Sequence, residues 1–197
     1  MIKKIRQDLR KVSEPDRIPA LQNFFKTGPG QYGEGDIFIG VRVPNTRKVA
    51  TKWKDAPLEV VDKLLDSEIH EERLLACLIL VQKYQKSENK EEIYNFYWKN
   101  AKRVNNWDLV DSSAYKIFGP YFIKKDKSLL YEYANSGQLW KQRISIITTL
   151  HFIRNNQFDD TLKVAKILLH HPHDLIHKAV GWMLREIGKR NFEIEFE

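Results

Sequence analysis

From about residue 45 onward, apolar residues return every three or four positions, segment after segment, and no alternating strand pattern competes. The spacing predicts helices near 45–53, 57–66, 70–86, 89–103, 106–118, 127–135, 139–155, 158–170 and 173–190. The gaps are mostly short and polar, as in helical hairpins. Upstream, residues 2–12 form an amphipathic helix that Ser13-Glu14-Pro15 breaks, and helix resumes from Asp16 to Lys26. A loop from Thr27 to Asp36 holds four of the nine glycines, and Ile37–Pro44 is a short extended segment. The Gly28, Gly30 and Gly33 spacing imitates a dinucleotide fingerprint, but no strand precedes it, and the fingerprint needs one. The fold class is therefore all-α.

The helices carry a repeat. Taking Arg73, Asp111, Arg143 and His177 as equivalent starts, apolar pairs follow three and seven residues later: Ala76/Leu80, Ala114/Phe118, Ile146/Leu150 and Val180/Leu184. The starts lie 38, 32 and 34 residues apart. Helical pairs recurring at this period suggest a HEAT-like solenoid, whose stacked pairs curve into an extended concave surface. A non-repetitive bundle with coincidental spacing is the alternative.

A chain of 197 residues with 42% hydrophobic content suits a single domain with an ample core. The net charge of +7 favours a polyanionic partner, nucleic acid first. Cys77 is the sole cysteine, which excludes a disulfide framework and a cysteine zinc site. The start, Met1-Ile2-Lys3-Lys4, is too charged for a signal peptide, and no apolar run approaches membrane-spanning length. A cytoplasmic monomer without a membrane partner is the expectation.

The stretch Asn105–Gly119 reads as a helix with Asn105 or Asn106 at its N-cap and Asp108 in its first turn. Val110, Ala114, Ile117 and Phe118 form the apolar face, and Trp107 and Asp111, four apart, sit on or beside it. A carboxylate there is costly unless something pairs with it. Asp111 could pair with an arginine of the next helix while Trp107 fills core; the other reading is a site. On the last helix, Ile176, Val180, Met183, Leu184 and Ile187 make the apolar face, and Lys178, Trp182, Arg185 and Lys189 the opposite one. An aromatic within a basic stripe suits a nucleic-acid backbone or sugar. The competing reading has Phe192 and Phe196 covering Trp182.

Trp140 and Arg143, with Lys141 between them, lie toward the inside or the groove lip, where Arg143 could hold Asp111, grip a phosphate, or do both. Between Lys99 and Lys127, seven cations face only Asp108, Asp111 and Asp126, and Arg42, Arg47 and Lys48 add charge earlier. His170, His171, His173 and His177 lack acids or cysteines to complete a metal site, save Asp174, so no metal is expected.

These pieces resemble the AlkD-like DNA alkylation repair enzymes, the HEAT-like-repeat alkylpurine DNA glycosylases. They are Tyr32-Gly33-Glu34-Gly35-Asp36 leading into Phe38–Pro44 with Arg47-Lys48, then Asn106–Asp111, Trp140–Arg143 and Lys178–Lys189, in the family's order over nearly the whole chain. The resemblance implies a right-handed superhelix of antiparallel helix pairs with a concave basic groove. It places the catalytic acid on Asp111, the lesion-flanking tryptophans on Trp107 and Trp182, and the cleft arginine on Arg143. It implies excision of 3-methyladenine and 7-methylguanine from double-stranded DNA, without metal or cofactor. Family members usually continue past Gly188-Lys189 with a further helix pair, so the domain, 1–197, reads as shortened at its C-terminus. Two other functions fit a chain of this kind: a non-catalytic DNA-binding scaffold of the same superfamily, and a helical-repeat protein–protein adaptor.

Overall fold

The structure, a computed structural model, describes residues 1–191. Among them the regular elements are all helical, and no strand forms. The chain divides into two compact units, residues 1–109 and residues 110 onward.

The first unit contains α1 (Ile2–Arg10), α2 (Ile18–Phe24), α3 (Val43–Lys52), α4 (Leu58–Leu65), α5 (His70–Lys86) and α6 (Lys90–Lys99). Helix α5 is its centre and packs against α3, α4 and α6. Every residue from His70 to Val81 is buried, so α5 is enclosed on all sides rather than striped. Cys77 belongs to this buried run. Helix α1 closes the unit against α3 and α4, burying Ile5 and Leu9 completely.

Helix α7 (Trp107–Phe122) opens at the end of the first unit and continues into the second, which adds α8 (Ser128–Ala134), α9 (Leu139–Thr148), α10 (Leu150–Arg154), α11 (Asp159–Leu168) and α12 (Asp174–Gly188). Helix α9 is central here, packing against α8, α11 and α12 with Gln142 to Thr148 all buried. Of the apolar pairs that defined the repeat, all but half-buried Leu184 are buried.

Several boundaries differ from the expectations. Helix α7 runs past Phe118 through Gly119 and Pro120. A Cβ at Gly119 would lie 2.3 Å from the His151 Cβ, so the close approach of that side chain requires glycine. The expected helix 139–155 is divided at Thr149. There the Thr148 and Thr149 hydroxyls donate back to the carbonyls of Ile144 and Ile146, both at 2.7 Å, and such back-bonding bends helices. Helix α3 begins at Val43 because Pro44, with its preset φ, suits a first turn better than a strand end. What remains of the extended segment makes isolated bridges, Ser13 to Val41 and Ile37 to Ile69. No helix among the described residues is long and apolar enough to cross a membrane.

Candidate functional site

Four consecutive polar residues, His70-Glu71-Glu72-Arg73, open α5 and are buried. Each has a partner outside the helix. One Glu71 oxygen accepts hydrogen bonds from the N–H groups of Ile39, Gly40 and Val41 at 2.9–3.1 Å. Gly40 makes that nest possible: its φ is +82°, and a Cβ would lie 2.2 Å from the Glu14 carbonyl oxygen. Glu72 accepts from Arg6 at 2.9 Å. Arg73 donates to the Ser67 carbonyl at 2.8 Å and to Asp36 at 2.5 Å.

His70 makes the most consequential contacts. Its Nδ1 lies 2.9 Å from Asp36 and its Nε2 2.8 Å from Asp108, with only 2% of the side chain exposed. Asp36 ends the glycine-rich loop, and Asp108 lies in the first turn of α7. Burial alone would lower the His70 pKa, but the charge and hydrogen bond of Asp108, with those of Asp36, raise it to about 9. Burial pushes the Asp36 carboxyl upward, and His70, Arg73 and Asn106 together overcome this and hold it below its usual range. Asn106 donates to Asp36 at 3.0 Å and accepts from the Trp107 N–H at 2.8 Å, joining the loop to the start of α7.

Trp107 is half-buried and rests on this network through aromatic rings. It stacks on Phe25 at 5.2 Å with an interplanar angle of 12°. Phe25 and Phe38 in turn lie 4.7 and 4.6 Å from the His70 ring. Phe24, 62% exposed, meets Trp107 edge-on at 5.7 Å. Trp107 therefore ends an aromatic stack anchored on a buried, charged imidazole. Trp107 was expected from the sequence; Phe25, His70 and the partner of Asp36 were not. The available signal was four ionisable residues opening the helix that carries the apolar run Leu74–Val81, where burial is costly unless each is paired.

One turn along α7 from Trp107 stands Asp111. Within the second unit, Arg143 of α9 grips it with two parallel hydrogen bonds of 2.9 and 2.8 Å. The remaining Arg143 nitrogen, Nη1, donates to the Leu175 carbonyl at 2.5 Å, near the start of α12. Arg143 has 6% of its side chain exposed and Asp111 19%. The cation is thus held inside while the carboxylate reaches partly to solvent. Of the roles open to Arg143, the structure contains the grip on Asp111.

Along α12, Lys178, Arg185 and Lys189 are exposed and Trp182 is half-buried among them, while Ile176, Val180, Met183 and Ile187 are buried. Lys178 pairs with Asp174 at 2.8 Å and Lys189 with Glu186 at 2.7 Å. Phe192 and Phe196, the alternative cover for Trp182, lie outside the described residues. Trp140 is half-buried, as is Lys141, whose Nζ lies 5.5 Å from the Tyr133 ring. In the first unit, Arg47 and Lys48 are exposed on α3, and Arg42 is held by Glu14 at 2.8 Å. Exposed pairs of this kind add little to stability, so a phosphate could displace them. The histidine cluster does local work: His171 contacts Gln142 at 3.0 Å and accepts from the His173 N–H, while His173 accepts from the Leu175 N–H at the start of α12.

An all-helical chain with a partly exposed, arginine-gripped acid and tryptophans beside cations fits a protein that handles nucleic acid. Sequence comparison names the class: the DNA alkylation repair enzyme family matches residues 5–197. The chain belongs to that family, which gives it a role in DNA repair and implies DNA binding. Its fold is similar to a solved structure described as a predicted DNA alkylation repair enzyme from Enterococcus faecalis, with a TM-score of 0.71 at 18% identity, covering 93% of this chain and 86% of that one. No curated protein matches the chain.

Proposed function

We propose that this protein is a DNA glycosylase that hydrolyses the N-glycosidic bond of alkylated purines, 3-methyladenine and 7-methylguanine, in double-stranded DNA. The observation that carries the reading is the Asp111–Arg143 pair, which keeps a carboxylate fixed and partly exposed on α7. An alkylated purine is already cationic and leaves without a general acid. As the C1′–N bond breaks, its electron pair goes to the base and positive charge grows on the deoxyribose. A fixed carboxylate in a site of low dielectric stabilises that charge. Water then attacks C1′ and gives up a proton, leaving an abasic sugar and a free base. Asp111 is the catalytic residue in this scheme, and Arg143 sets its rotamer. Trp107 and Trp182 flank the lesion and its sugar. No cofactor takes part.

The backbone contacts fall to the exposed cations Arg42, Arg47, Lys48, Lys178, Arg185 and Lys189, and to half-buried Trp140 and Lys141. Arg143 presents little surface to a phosphate, so its contribution to DNA binding acts mainly through Asp111. The test is incubation with a duplex carrying a single 7-methylguanine, followed by detection of abasic sites. Release by the wild-type protein supports the reading. Salt-sensitive DNA binding with no release would leave a scaffold, and no DNA binding would leave an adaptor.

A further inference from the structure

We propose that His70 is a positioning residue of the candidate active site: its imidazolium ties the glycine-rich loop, through Asp36, to the first turn of α7, through Asp108, and so sets the ring of Trp107 against Phe25. The inference deepens the reading above and rests on it in one respect, that Trp107 flanks the lesion.

With both carboxylates ionised, the geometry calls for a charged ring. Both ring nitrogens lie within hydrogen-bond reach of carboxylate oxygens, 2.9 Å for Asp36 and 2.8 Å for Asp108. An ionised carboxylate only accepts, so both nitrogens must carry protons, and a histidine with two N–H groups is cationic. A neutral tautomer would set a lone pair against one carboxylate in a site with 2% exposure. The other charges nearby are already committed. Arg73 faces the second Asp36 oxygen, Glu71 faces the Ile39–Val41 N–H groups, and Glu72 faces Arg6. The Asp108 Oδ1 is buried and has no hydrogen-bond partner, so His70 supplies the only hydrogen bond to that side chain among the described residues.

The consequence for Trp107 follows from adjacency. Asp108 is its neighbour in the chain, and Asn106, its other neighbour, is bonded to the same Asp36 carboxylate that His70 holds. The Phe25 ring lies between, within 4.7 Å of His70 and 5.2 Å of Trp107. Loss of the His70 charge therefore frees one neighbour of Trp107, loosens the tether of the other, and leaves Asp36 to Arg73 alone and the Asp108 carboxylate without its imidazolium.

The test uses the full chain labelled with 15N-histidine and 5-fluorotryptophan, the Trp107 resonance being assigned by its loss in Trp107→Phe. At pH 7.5 both His70 nitrogens should show protonated shifts; a single neutral tautomer would overturn the proposal. In folded His70→Gln, the Trp107 resonance should shift or broaden while those of the other four tryptophans stay. Release of 7-methylguanine should fall about ten- to a hundredfold, the scale of displacing a site group by an ångström, with binding to undamaged duplex retained. The double variant His70→Gln/Asp108→Asn, which removes the carboxylate that has lost its imidazolium, should recover part of that loss. A Trp107 resonance unmoved in folded His70→Gln sinks the idea. If that variant does not fold, the wild-type protein still decides: Trp107 and the His70 nitrogens should titrate with one midpoint, and a Trp107 resonance indifferent to His70 would refute the link. The spectroscopic readouts need no DNA. A wild-type protein that releases no base while Trp107 still follows His70 would overturn the glycosylase reading and leave the role of His70 standing.

Discussion

Replacing Arg143 with methionine keeps most of the side-chain volume and removes the charge, leaving Asp111 without its cation. The pair is mostly buried, with 6% of the arginine and 19% of the aspartate side chain exposed. Removing one partner of a buried pair costs roughly 3–5 kcal/mol, and the residual hydration of Asp111 puts this case near about 3. The Leu175 carbonyl also loses the donor that now reaches it at 2.5 Å. That adds about 1 kcal/mol, for a total of about 4. Pairing Arg143→Met with Asp111→Asn strands no charge, so the double variant should be more stable than Arg143→Met alone, with a coupling energy of about 2–3 kcal/mol. Urea unfolding of the four proteins measures the cycle, with the midpoint moving and the slope held constant. In a chain of this length the Arg143→Met loss corresponds to a fall of about 8–16 °C in Tm. A cost below about 1 kcal/mol, or a double variant whose loss is the sum of the singles, would refute the view that Arg143 exists to hold Asp111.

Two other predictions concern pH and salt. His70 has a folded pKa raised to about 9, so its contribution is fully present below the unfolded value of 6.5 and is lost as pH rises through 9. The gap between 6.5 and about 9 corresponds to about 3 kcal/mol, and urea midpoints from pH 6 to 10 should fall accordingly in the wild type but much less in His70→Gln; parallel profiles would contradict it. Arg185→Ala and Arg47→Ala, which remove exposed cations, should each weaken duplex binding regardless of sequence and reduce the slope of log K against log salt by about 1. A loss confined to particular sequences would argue against backbone contact.

The helices were legible because their signals are local: α5 falls on 70–86 as expected, its apolar run marking an enclosed helix, and the apolar stripe of α12 is the face that is buried. The grip of Arg143 on Asp111 was legible as one of two roles, since a carboxylate beside an apolar stripe demands a cation. What escaped was the contact set of His70. Its partners lie 34 and 38 positions away, one in a glycine-rich loop and one in a different helix. No local periodicity encodes such a distance. The loop was read for its glycine spacing and for its place in the family resemblance, although Asp36, which closes it, is the residue that ties it down. Phe24 and Phe25 likewise fell inside the helix expected from Asp16 to Lys26. The structure ends α2 at Phe24, and Lys26 adopts a φ of +55°, which turns the chain there beside the rings that support Trp107.

The central claim is that Asp111 stabilises the developing sugar cation, and single-turnover release of 7-methylguanine from duplex DNA by the wild type and by Asp111→Asn tests it most directly. The substitution keeps the side chain's size and hydrogen bonding and removes its charge. Release is measured well below the unfolding transition of each protein, with the folded fraction and the affinity for the alkylated duplex determined on the same preparation. The account predicts that Asp111→Asn binds the duplex and releases base at least about a hundredfold more slowly than the wild type, beyond any loss of folded protein. A folded Asp111→Asn that releases base at a near wild-type rate would contradict it.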